Sequence, residues 1–203
     1  MLGIEDRGEV RSIVGPDFAL AFARSGDRWT HAIELAIAPG GPRLAIARSV
    51  EWDAGRDDPD RVAGPVFQEL HFQDDPGGMP QALLVGMSGP HHFSAVFTMT
   101  GGAGGLALDV DVVDRCRPAP AALASTYTAS LRSGDLAAAD DRAIAWDIPP
   151  RRLAFAAGPG TRVGLAEAGR AATRVQALAD PAAEGASPTR RWRYRWEFSP
   201  LPC

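Results

Sequence analysis

The chain has no lysine and no asparagine, and only 2 of its 203 residues are cysteine. Without lysine there is no Schiff-base nucleophile, no Walker-type phosphate lysine and no kinase-type catalytic lysine. Without asparagine there is no N-glycosylation acceptor and no Cys-His-Asn triad. All 21 basic residues are therefore arginine. Both missing residues have A/T-rich codons, so the bias reads as mutational, but its chemical consequences stand. Cys116, in DRCRP, and Cys203, the last residue, are 87 positions apart and make a poor disulfide pair. No Cys-x-x-Cys occurs, so a thiolate zinc site or thioredoxin-like redox chemistry is not expected.

Long apolar runs are missing as well. No segment approaches the ~20 apolar residues of a membrane helix. The N-terminal MLGIEDRGEVRSIVGPDF carries acids where a signal peptide needs a basic head and an apolar run. The expectation is a soluble, cytoplasmic protein with no membrane partner. A net charge of -4 argues against nucleic acid as a partner.

What is present is a period of two. DFALAFA sets Phe18, Leu20 and Phe22 on one face, and after the turn residues RSGD, RWTHAIELAIA continues with Trp29, His31, Ile33, Leu35 and Ile37. RLAIARSVEW, VFQELHF, ALLVGM, HHFSAVFTM and LALDVDVV follow, then LASTYTASL, AIAWDI, RLAFAA, TRVGLAEA, TRVQALA and RRWRYRWEF. Roughly a dozen short strands with a turn signal about every ten residues predict an all-β, single-domain antiparallel sandwich spanning 1–203; a closed or partly open barrel is the alternative. SGDLAAADDRA could make a helical turn or two, and LAEAGRAATRVQALA reads as strand–turn–strand because Gly164 and Gly169 interrupt its alanines. Residues 53–65 and 180–189, rich in Gly, Pro and Asp, are expected as flexible loops.

Four histidines are the first candidates for chemistry. His31 and His91 fall on the apolar phase of their strands, His71 and His92 on the polar phase. A divalent metal held by His31, His71 and His91, with Asp74 or Asp75, is the conceivable metal site; the competing reading is histidines hydrogen-bonded in or near the core. Ser88 in GMSGP resembles a nucleophile elbow but is followed by a proline and an alternating strand rather than a helix, so a turn is the better reading. TGGAGGLALDV likewise opens a strand, not the helix that a phosphate loop needs. Asp109 and Asp111 share one strand face about 6–7 Å apart, with Asp114 just past them, and read as solvated acids opposing arginines.

The last strand alternates without a fault. Trp192, Tyr194, Trp196 and Phe198 occupy one face, and Arg191, Arg193, Arg195 and Glu197 the other. Such a stripe reads first as a central core strand, and in the sharper reading Trp192, Tyr194 and Trp196 form a ligand-binding platform for a sugar or other flat molecule. No constellation supplies a nucleophile, a base and an orienting group, so the chain is expected to be a non-enzymatic module binding a small molecule or protein, without a cofactor. The alternatives are a metal- or carboxylate-dependent hydrolase using His31, His71 and His91, and a structural or assembly subunit.

Overall fold

Antiparallel pairing follows from the alternation, because each apolar face needs a partner and short turns join most neighbours. The computed structural model describes residues 2–36, 41–50, 64–102, 105–116, 122–131, 135–168, 172–180 and 188–201. Most of the two expected loops, and Cys203, lie outside the described residues. The first eight strands are β1 (Gly3–Asp6), β2 (Val10–Val14), β3 (Phe18–Ser25), β4 (Arg28–Ala36), β5 (Arg43–Ser49), β6 (Glu69–Asp74), β7 (Pro80–Ser88) and β8 (His91–Gly102). Next come β9 (Gly105–Cys116), β10 (Ala124–Ala129), β11 (Leu136–Ala139), β12 (Ala143–Ile148), β13 (Arg151–Ala157), β14 (Thr161–Ala168), β15 (Thr173–Ala179) and β16 (Thr189–Pro200).

Two sheets of eight strands result, ordered β1-β2-β3-β4-β5-β10-β15-β14 and β11-β12-β13-β16-β9-β8-β7-β6. Each sheet keeps two open edges, which confirms the sandwich and excludes the closed barrel. LAEAGRAATRVQALA supplies the second half of β14 and all of β15, two strands as expected, but Gly164 lies inside β14, opposite Gln176, and does not interrupt it. The alanine-rich LAAA is a strand rather than a helical turn: Leu136–Ala139 pairs with β12 and Leu136 packs on the core. GIED and VRSIV, too polar to stand out by periodicity, pair with each other, and Ile13 is fully buried.

The core lies between the sheets and draws on both. β16 sits centrally in its sheet, between β13 and β9, and buries Trp192, Tyr194, Trp196 and Phe198. At roughly 150–250 Å² per aromatic ring, this one strand contributes a large share of the apolar burial. On its outer face Arg195 grips Asp109 through two bonds of 2.6 and 3.0 Å, and both Arg191 and Arg193 reach Asp111. Burial pushes the Asp111 carboxyl up, but hydrogen bonds and charges from Arg191 and Arg193 outweigh it and hold it below its ordinary value.

Residues 64–68 tie one sheet to the other. The Trp29 amide of β4 donates to the Phe67 carbonyl at 2.8 Å, and the Gln68 amide donates to Val85 of β7 at 2.9 Å. Gly86 lets this strap approach, since a Cβ there would stand 2.2 Å from the Val66 carbonyl oxygen. Gly86→Ala is therefore expected to cost about 1–3 kcal/mol, read as a lowered urea midpoint. An unchanged midpoint would show that the strap yields freely.

Candidate functional site

The structure does not bring His31, His71 and His91 together. His31 on β4 is buried between the sheets, its Nε2 2.8 Å from the Tyr127 hydroxyl, which in turn lies 2.7 Å from the Tyr194 hydroxyl. The chain His31–Tyr127–Tyr194 crosses the core from one sheet to the other, with Phe22 and Phe97 rings against the imidazole. Desolvation lowers the His31 pKa to about 3, so the ring is neutral; burial likewise pushes Tyr194 up to about 12. His71 is exposed on the edge strand β6, with Glu69 at 3.4 Å, and His92 is exposed at the start of β8. Asp74 and Asp75 belong to the end of β6 and the turn after it, where Asp75 Oδ1 accepts the Gly77 and Met79 amides.

The remaining motifs resolve into scaffold. Ser88 pairs with His91 across a two-residue turn in which Gly89 has φ 57°, a conformation that favours glycine. The glycine-rich stretch joins β8 to β9, with Gly102 opposite Gly105. Asp109 and Asp111 oppose Arg195 and Arg193 in the β9–β16 register. Trp192, Tyr194 and Trp196 are buried inside the sandwich, so they build core instead of a surface platform, and Trp192 Nε1 donates to Ser125 Oγ at 3.0 Å.

One donor cluster does form, from residues that spacing alone did not join. β9 continues its inward phase beyond Leu108, Val110 and Val112 to Asp114 and Cys116, and the hairpin register sets His91 opposite Cys116. His91 Nδ1 lies 2.8 Å from Asp114 Oδ2, and its Nε2 lies 3.9 Å from Cys116 Sγ. The Asp114 side chain has 0% exposure, Cys116 is 3% exposed, and Asp114 Oδ1 has no hydrogen-bond partner among the described residues. Burial pushes the Asp114 carboxyl up, against the hydrogen bond and charge of His91 and the hydrogen bond of the His92 backbone amide. Burial and the Asp114 charge also push the Cys116 thiol up. Among the described residues this is the one group whose donor atoms converge closely enough to hold a metal ion. A cleft of about 490 Å³, lined by Pro90, His92, Arg115 and Cys116, opens beside it. The missed signal was the unbroken period of two: Asp114 is inside β9, not past its end.

At the opposite end of the same hairpin lies a slot of about 590 Å³ whose floor is closed by the Phe18 and Phe198 rings, packed edge to face at 4.7 Å. Phe18 and Leu35 from one sheet face Leu106 and Phe198 from the other, with Met79 and Pro80 beside them. At its wall Arg151 Nη2, from β13, donates to Asp17 Oδ2, in the bend before β3, at 2.6 Å. No protein-family model matches the chain, and no curated protein is similar enough to serve as a relative. No helix among the described residues is long and apolar enough to cross a membrane.

The buried imidazole yields a pH prediction. With a folded pKa near 3 against 6.5 in the unfolded chain, the unfolded state binds the extra proton between those values. Stability from His31 is thus complete above pH 6.5 and falls by about 1.4 kcal/mol per pH unit as acidity increases toward pH 3. Urea unfolding of the wild type and His31→Phe across this range should give curves that converge on acidification; parallel curves would refute a buried neutral His31.

Proposed function

We propose that the protein is a non-enzymatic binding module for a small amphipathic molecule, held in the slot between the sheet ends. The observation that carries this reading is the slot itself: apolar walls from both sheets and one ion pair at the wall. Ligand sites are commonly concave, mostly apolar clefts of about 300–1,000 Å³ with a few polar groups that fix orientation. Phe18, Leu35, Leu106 and Phe198 would receive the apolar body. Arg151 offers a donor and Asp17 an acceptor at one point, which matches a head group that both accepts and donates, such as a hydroxyl. The cytoplasm is the proposed location, where the Cys116 thiol stays reduced.

The test is an amide chemical-shift titration of the full chain with 1-octanol. Saturable shifts confined to Gly78, Gly101, Leu106 and their neighbours support the reading, and Leu106→Glu, which brings a charge into the apolar wall, should abolish them. Absent or non-saturating shifts, or saturable shifts elsewhere that ignore Leu106→Glu, would overturn it.

A further inference from the structure

We propose that His91, Asp114 and Cys116 form a zinc-binding site at the end of the sandwich opposite the slot. One ring nitrogen, one carboxylate oxygen and Sγ lie within 4.8 Å of one another. Tetrahedral zinc with ordinary bond lengths needs about 3.5 Å between a thiolate sulfur and an imidazole nitrogen. The 3.9 Å contact between Cys116 Sγ and His91 Nε2 is close to that edge length, and Asp114, 2.8 Å from the other ring nitrogen, Nδ1, reaches the same ion once its carboxylate or the imidazole turns. A mixed nitrogen, oxygen and sulfur set selects zinc over calcium or magnesium, which prefer oxygen alone.

The independent observation is Asp114. Its side chain is wholly buried and Oδ1 has no hydrogen-bond partner among the described residues, an arrangement that proteins rarely leave uncompensated. A divalent ion bound by the Asp114 carboxylate and the Cys116 thiolate would make the buried set neutral overall. The Cys116 thiol gives its proton to solvent when zinc binds. Pro90, His92, Arg115 and Cys116 line the adjoining cleft, the route by which the ion and a fourth, water ligand reach the site.

The same three residues also have the contact order of a base-assisted thiol, with Sγ beside Nε2 and Nδ1 on Asp114. An orienting carboxylate requires only the oxygen that faces the imidazole, and a nucleophile requires exposure. The second, unpartnered oxygen and the 3% exposure of Cys116 therefore favour metal.

Cobalt(II) titration of the chelator-treated full chain tests this. One equivalent should bring up the near-ultraviolet thiolate-to-cobalt band together with visible absorption of tetrahedral intensity, and added zinc should displace both. Cys116→Ser should lose the thiolate band, while Asp114→Asn should weaken binding by roughly 10–100-fold or more. His71→Ala, on the remote edge strand, should change neither. Alkylation of the buried Cys116 by iodoacetamide must wait on local opening, and zinc should slow it further in the wild type, a readout that needs no variant to fold. No thiolate band, a band that survives Cys116→Ser, or alkylation unaffected by zinc would overturn the proposal. So would rapid zinc-independent alkylation that depends on His91, which would mark a nucleophile instead. Because the slot lies at the other end of the hairpin, octanol shifts and cobalt binding stand or fall separately.

Discussion

The pairing of β16 with β9 is the constraint on which the rest of the structure depends. Its register stacks Arg195 on Asp109 and Arg193 on Asp111 outside while Trp196 faces Leu108 and Tyr194 faces Val110 inside. A slip of one residue would bury the arginines and expose the aromatic rings, so both faces specify the same alignment. The cross-strand charges add modest energy, because partly exposed ion pairs contribute about a kcal/mol or less. Burial of the rings supplies the larger stabilisation, and the charges make the wrong register costly.

That register governs both ends of the sandwich. β9 turns back from β8, so a single hairpin roughly 35 Å long carries Leu106 at one end and Cys116 at the other. At the first end a slot opens beside Leu35 and Leu106, over the packed rings of Phe18 and Phe198. At the second end the inward phase runs out of apolar residues and places Asp114 and Cys116 where carbon would normally sit. Between them, His31, Tyr127 and Tyr194 stitch the sheets through the middle with hydrogen bonds in an otherwise aromatic core. Polar groups in such surroundings gain stability only while paired, so this chain also helps to set how the sheets align.

Much of the fold was legible along the chain. The alternation of RRWRYRWEF identified a central strand, and RSGD marked the turn between β3 and β4. Gly169 within LAEAGRAATRVQALA marked the break between two strands, whereas Gly164 lies inside β14. The polar GIED and VRSIV were not legible, because β1 is an edge strand and β2, though paired on both sides, fully buries only Ile13. His91 was placed inward by its phase, but its companions were mistaken. His31 and His71 share its residue type without sharing its location, whereas Asp114, a carboxylate at the far end of β9, carries no sign in its own chemistry that it faces inward.

By itself, the sequence determined that this is an all-β protein without lysine chemistry, and which side chains of the regularly alternating strands, such as β3 and β16, face inward. A period of two is a local property, readable without knowing any partner. Only the tertiary structure decided which inward residues meet. His91 finds Cys116 across a hairpin, Phe18 meets Phe198 from the facing sheet, and His31 reaches Tyr194 through Tyr127. The physical reason is that strand phase sets a direction, whereas proximity depends on register and sheet order, which are settled by the whole core at once.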